Sequence, residues 1–181
     1  MWRKLRLLFI VLLVFALGAC SDPTERDVSI TLKAGVDTIE IHSDYQDPGA
    51  QARAFGFPVS YEVLSNTVDI TKLGEYEILY QVDYKGIVKQ VKRIVTVIDL
   101  TKPVVTLKQG VDTVSLGDDW EDSGVEIIDN SNEECQLTIT GEVNSLLVGE
   151  YIITYEVIDS SGNKTVIQRY VNVVEQTGVM N

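Results

Sequence analysis

Few side chains in this chain can act as nucleophiles, while carboxylates are abundant. There are two cysteines, Cys20 and Cys135, one histidine, His42, and 27 Asp and Glu residues. A cysteine attacks only as thiolate, which needs a basic or cationic neighbour. Cys135 instead follows Glu133 and Glu134, whose charges oppose its ionisation. His42 lies far off in sequence, so Cys135 reads as a half-buried small hydrophobe rather than half of a Cys–His pair. Two carboxylates across a glycosidic bond would make a glycosidase, but among so many acids no pair stands out. Asp118, Asp119, Glu121, Asp122 and Asp129 offer the hard oxygens of which calcium takes six to eight. Asp119, Asp122 and Asp129 are the weak calcium candidates among them. They lack the fixed spacing of an EF-hand-type loop and read first as solvated acidic loops. Zinc favours His and Cys, of which the chain beyond Cys20 holds one each. A nucleophile elbow, a Gly-rich phosphate loop and a metal-binding His pair are all missing from the sequence. The expectation is a protein without catalytic residues and without a cofactor.

Cys20 stands in a different context. Arg3, Lys4 and Arg6 open the chain, residues 7–17 form an uncharged apolar run, and Leu17-Gly18-Ala19-Cys20 follows. The apolar run is too short to span a bilayer and has the layout of a secretory signal. The Leu-Gly-Ala-Cys ending resembles the lipobox of bacterial lipoproteins. That resemblance implies cleavage before Cys20, a diacylglycerol on its thiol and an acylated new N-terminus. It also implies a protein held at the extracytoplasmic face of a bacterial cell membrane by its lipid.

Charge limits the partners. Residues 21–181 carry all 27 acidic residues against 12 Lys and Arg, a net −15 with His neutral. Such a surface repels phosphate backbones, so no nucleic acid is expected as partner. It also repels anionic headgroups, so membrane attachment must come from the acyl chains, at roughly 0.8 kcal/mol per buried CH2.

The rest of the chain is written twice. Gly35-Val36-Asp37-Thr38-Ile39 returns as Gly110-Val111-Asp112-Thr113-Val114. Asp44-Tyr45-Gln46-Asp47-Pro48-Gly49 returns as Asp119-Trp120-Glu121-Asp122-Ser123-Gly124. The run from Leu73 to Val82 returns from Val148 to Val157, again 75 residues on. Beyond Val82 the offset is 76, Arg93 matching Arg169, because the turn 159–163 holds one more residue. Tyr76, Ile78, Tyr80 and Val82 alternate with Glu75, Glu77, Leu79 and Gln81, and Tyr151, Ile153, Tyr155 and Val157 with Glu150, Ile152, Thr154 and Glu156, a period of two that argues for strands with one buried face. Strands are also expected over 28–33, 38–42, 59–63, 87–98, 104–108, 113–116, 136–143 and 165–174. Many short strands separated by turn formers point to antiparallel sandwiches. Gly-x-Tyr-x-Ile then selects the immunoglobulin type, with Tyr76 and Tyr151 as corner tyrosines that return their hydroxyls to the backbone. Ile78 and Ile153 occupy the place of the disulfide cysteine.

These motifs resemble the bacterial immunoglobulin-like surface repeats, close to the group 3 bacterial Ig-like and HYR-type modules. Residues 101–174 carry the pattern most fully, with Thr101-Lys102-Pro103, Trp120-Glu121-Asp122-Ser123-Gly124, Gly149-Glu150-Tyr151 and Arg169-Tyr170-Val171. The resemblance implies an all-β protein of two tandem immunoglobulin-like β-sandwiches. It also implies that Tyr45 and Trp120 serve packing rather than sugar stacking. The expected organisation is a lipoprotein signal peptide over 1–19, a lipidated tether over 20–27, domain 1 over 28–99, a linker over 100–103, domain 2 over 104–175 and a tail over 176–181. The loops holding Phe55 and Phe57 in one copy and Asn130 and Asn132 in the other differ most between copies and are the candidates for partner contact. The function expected is a membrane-anchored, non-enzymatic surface module, binding an unknown protein or polysaccharide or acting as a spacer. The alternatives are an accessory subunit of an envelope complex or, least favoured, a wall-sugar hydrolase.

Overall fold

The computed structural model describes residues 22–175. The expected signal peptide over 1–19, Cys20 and the expected tail over 176–181 lie outside the described residues. Among the described residues every regular element is a strand.

Period-two alternation builds the longest pair of each half. β6 (Gly74–Tyr84) and β7 (Ile87–Ile98) run antiparallel across Lys85 and Gly86. Both turn residues have positive φ, 52° and 84°, the handedness that matches strand twist in a two-residue hairpin. The face Ile78, Tyr80, Val82, Val95 and Val97 is buried. In the second half β12 (Gly149–Ile158) and β13 (Lys164–Val174) repeat this pairing, burying Ile153, Tyr155, Val157, Val171 and Val173.

Two sheets close each domain. In domain 1, β2 (Thr38–Glu40), β7, β6 and β5 (Glu62–Asn66) form one sheet, with β2 parallel to β7. β1 (Val28–Leu32), β3 (Ala50–Ala54) and β4 (Phe57–Val59) form the other. In domain 2, β11 (Gln136–Thr140), β12, β13 and β9 (Thr113–Ser115) form the large sheet, with β9 parallel to β13. β8 (Val104–Leu107) and β10 (Val125–Ile128) face it as a pair. The alternating patterns and the two facing sheets per half make tandem β-sandwiches.

Three local features depart from the sequence reading. β3 and β10 were not among the expected strands. The strand expected over 59–63 is divided between β4 and β5, which belong to different sheets. The segment 53–58, read as a loop, is mostly strand: it ends β3, turns at Phe55 and Gly56 with φ 49° and 80°, and begins β4.

A buried arginine centres each sandwich. Arg93 is 1 % exposed. It donates through Nη1 to Asp37 and through Nη2 to the carbonyls of Lys33 and, at 3.3 Å, Gly49. Tyr80 donates to Asp47 at 2.5 Å, whose carboxylate also lies 3.6 Å from the Arg93 Nε. Arg169, 2 % exposed, repeats every partner: Asp112 at 2.6 Å, the carbonyls of Lys108 and Gly124 at 2.6 and 3.4 Å, and Asp122 at 3.6 Å. Tyr155 donates to Asp122 at 2.5 Å. A buried guanidinium needs opposite charge and partners for its donors. In each cluster two aspartates supply the charge, and Asp37 or Asp112 accepts with the carbonyls from the terminal nitrogens, while the Arg93 Nε has only the nearby charge of Asp47. Burial first, then the bond to Asp47, pushes the Tyr80 phenol well above its ordinary range, and burial and Asp122 push Tyr155 up in the same way. Both tyrosines therefore stay donors at neutral pH.

Candidate functional site at the domain junction

Three strands of this molecule end in the same dipeptide. Ile98-Asp99 closes β7, Ile128-Asp129 closes β10 and Ile158-Asp159 closes β12. The isoleucine ends a strand and the aspartate begins a turn, as its side chain can bond the backbone two residues on. Asp99 accepts from the Thr101 N–H at 2.9 Å, and Asp129 from the Ser131 N–H at 3.0 Å and its hydroxyl at 2.5 Å. Asp159 accepts from the Asn163 N–H and side-chain amide, both at 2.8 Å.

The fold brings these three turns to one place. β10 is paired with β8 so that Ile128 faces Val104, which puts the end of β10 beside the start of domain 2. Asn163 reaches back to the Asp99 carbonyl at 3.2 Å. As a result, one ligand-capable oxygen from each of Asp99, Asp129 and Asp159 lies within 4.8 Å of the others. Asp99 is 4 % exposed and Asp159 6 %. Among the described residues the Lys and Arg ion pairs all fall elsewhere. Asp99 Oδ2, Asp129 Oδ2 and the neighbouring Asn130 Oδ1 are buried without a hydrogen-bond partner. Burial pushes the Asp99 carboxyl up, and the charges of Asp129, Asp159 and Glu40 push it further. The Cys135 thiol beside them is raised by burial and then by Asp129, Asp159 and Asp99.

The linker is tied down on the domain 1 side. Glu40, at the end of β2, accepts from the Leu100 N–H at 2.9 Å and the Thr101 hydroxyl at 2.9 Å. The His42 ring donates to the Asn130 carbonyl at 2.9 Å. Thr165 donates to the Pro103 carbonyl at 2.6 Å. Residues 99–103 are thus fastened at both ends, by Glu40 and by Thr165.

The candidate residues distribute as follows. The Tyr76 hydroxyl donates to the Lys72 carbonyl at 2.8 Å and that of Tyr151 to Leu147 at 2.7 Å, four residues upstream in each case. Tyr45 packs on the domain 1 core and Trp120 on that of domain 2, where its indole donates to Val111 at 2.8 Å. Asp122 belongs to the arginine cluster of domain 2 rather than to a group with Asp119 and Asp129. Among the described residues the carboxylates grouped with Asp129 are Asp99 and Asp159, and Asp119 is not one of them. His42 is engaged with Asn130. Phe55 and Phe57 are exposed, Phe57 at 74 %. Asn132 is exposed with φ 58°, whereas Asn130 lies at the junction, its amide 3.5 Å from Glu40. The two loops thus occupy the same end of their own domains but different surroundings.

Sequence reasoning missed Asp99, Asp159 and Glu40. The recurrent Ile-Asp step was the available signal for the first two. Glu40 had none, since its role depends on β2 pairing parallel to β7.

Two sandwiches, each with a parallel first edge, a corner tyrosine and a buried arginine, define a tandem immunoglobulin-like protein. The sequence profile of the bacterial surface protein Ig-like domain matches residues 30–97 and again 108–173. The chain belongs to that family. Among solved structures, a lipoprotein from Bacteroides thetaiotaomicron is 15 % identical, over 83 % of this chain and 81 % of its own, with a TM-score of 0.35. The M60 catalytic domain with two CBM51 domains from Clostridium perfringens ZmpB is 12 % identical, with a TM-score of 0.37, over 82 % of this chain and 31 % of that one. A protocadherin gammaB7 structure of repeats EC3–6 is 13 % identical, over 81 % of this chain and 50 % of its own, at a TM-score of 0.34. No curated protein matches the chain.

Proposed function

We propose that this is a lipid-anchored, non-enzymatic module of the bacterial cell surface, with domain 1 next to the membrane and domain 2 presenting a binding surface away from it. The observation that carries this reading is the short path from the lipobox cysteine to the first strand. The Asp27 N–H bonds the Thr24 carbonyl at 2.9 Å, and the Asp27 carboxylate accepts from Thr24, so residues 24–27 form a turn rather than extended tether. Lys89 holds the Glu25 carbonyl at 2.5 Å. From Cys20 to Thr24 the chain can reach at most roughly 14 Å, at about 3.5 Å per residue. The lipid on Cys20 therefore keeps the amino-terminal end of domain 1 at the bilayer surface.

That orientation sorts the contact candidates. Phe55 and Phe57 lie at the same end as the tether, the Phe55 N–H bonding the Asp27 carbonyl at 2.7 Å. They face the membrane interface, where aromatic rings are favoured. The opposite end of domain 2 carries Leu146 and Leu147, 77 % and 61 % exposed, beside the Tyr151 corner. This is the surface offered to a protein or polysaccharide.

Separating cells that make the wild-type chain or Cys20→Ala into membrane and soluble fractions tests the anchor. Wild type is expected with the membrane, resistant to high-salt washing, while the mature form of the variant is not. Equal distribution of the two would refute the proposal. A second reading, an accessory subunit docked by strand addition, is favoured by β5 and β11. Both end their sheets, and every residue in them is exposed, Val63, Leu64, Leu137 and Ile139 included. An open ladder of this kind can accept a further strand.

A further inference from the structure

We propose that Asp99, Asp129 and Asp159 bind one calcium ion that fastens the linker to domain 2. The inference is independent of lipid anchoring. Its basis is an imbalance: three carboxylates converge in a largely buried position, and among the described residues no lysine or arginine pairs with them. Buried like charges are retained only if something neutralises them. The turn hydrogen bonds leave Asp99 Oδ2, on a residue 4 % exposed, and Asp129 Oδ2 without partners. Asn130 Oδ1, next in sequence, is likewise buried and unpartnered. These are oxygen donors of the type calcium takes.

Size and hardness select the ion. Calcium binds oxygens at about 2.3–2.6 Å, so two ligands on one ion stand at most roughly 5 Å apart. The carboxylate oxygens all lie within 4.8 Å of one another. Magnesium, at about 2.0–2.1 Å with strict octahedral geometry, would need a tighter set. The converging donors are carboxylate oxygens, whereas zinc favours His and Cys.

The repeat supplies an internal comparison. In domain 1 the position of Asp129 is Ala54 and that of Asp159 is Tyr84. There, Tyr84 packs edge-on against Phe55, with ring centres 6.4 Å apart. The acids occur only in the copy whose amino-terminal end meets another domain. Asn130 links that end to domain 1 through His42 and Glu40, so an ion that fixes the Asp129–Asn130 turn also fixes the junction.

The test is calcium titration of the mature full-length chain, lipid included, in an uncharged detergent, by calorimetry and by thermal unfolding. Wild type is expected to bind one calcium at roughly 10⁻⁴–10⁻³ M, the range of extracellular modules, and to unfold several degrees higher with calcium than with chelator. Asp129→Asn keeps the shape and the bonds to Ser131. It should weaken calcium by more than roughly tenfold while unfolding no earlier than wild type in chelator, because a like charge is gone. Asp99→Asn is the second variant and should behave in the same way. Unchanged calcium affinity in both variants would overturn the proposal. So would an equal response to magnesium, which would mark general screening, or tighter zinc binding that Cys135→Ser removes.

Discussion

Arg93 and Arg169 explain why so many separate motifs recur between the two halves. Each guanidinium gathers an aspartate from the Gly-Val-Asp motif, an aspartate from the acidic loop, two carbonyls and a tyrosine. Residues that look independent along the chain are the shell of one buried cation. Replacing Arg169 by Ala takes the donor from the Lys108 carbonyl and the counter-charge from Asp112 and Asp122, and should cost about 3 kcal/mol or more, read by urea denaturation. Asp99 behaves in the opposite sense. Its folded pKa is raised above the unfolded value of 3.8 by burial, then by Asp129, Asp159 and Glu40. Its contribution is therefore fully present below that unfolded value and is lost as pH rises through the folded one. In cation-free buffer Asp99→Asn should be more stable than wild type at pH 7, and the difference should vanish on acidification to the unfolded value. The repeat made Asp122 visible, but not its partner. Acid-rich composition suggested calcium there, whereas Tyr155 and Arg169 claim that carboxylate. The corner tyrosines were legible because Gly-x-Tyr-x-Ile specifies a local turn. Asp99 and Asp159 were not, because their significance arises only where distant turns meet.

At the scale of elements, alternation with β-branched and aromatic residues exposed β6, β7, β12 and β13. β3 escaped because its inward residues are Ala50, Ala52 and Ala54, and alanine carries no strand preference. The pattern was present and the residue type disguised it. Ala52 and Ala54 are buried in one cluster with Val28 and Val82. Ala52→Leu should therefore overpack the sandwich and cost about 1–3 kcal/mol, measured as a lower denaturation midpoint. β10, Val-Glu-Ile-Ile, offers no clear alternation in its four residues. Gly124 belongs to this scale as well. With φ at 73° it turns the chain so that its carbonyl meets both the Lys108 N–H and Arg169, a conformation that side-chain-bearing residues adopt at a cost.

For the whole molecule, the duplication gives two similar bodies with unlike amino-terminal ends. That of domain 1 is aromatic and lies next to the tether; that of domain 2 is acidic and lies against domain 1. Tandem organisation was legible from the repeat, and the family match confirms it over residues 30–97 and 108–173. The fastening of the junction was not legible, as Glu40, His42 and Asn130 meet only after both domains have folded. The proposed surface role needs an anchor at the domain 1 end, so the most direct test is the mass of the amino-terminal peptide of the mature protein taken from membranes. A peptide beginning at Cys20 and carrying diacylglycerol on its thiol is the predicted result. A mature chain that begins elsewhere, or a Cys20 with a free thiol, would contradict it.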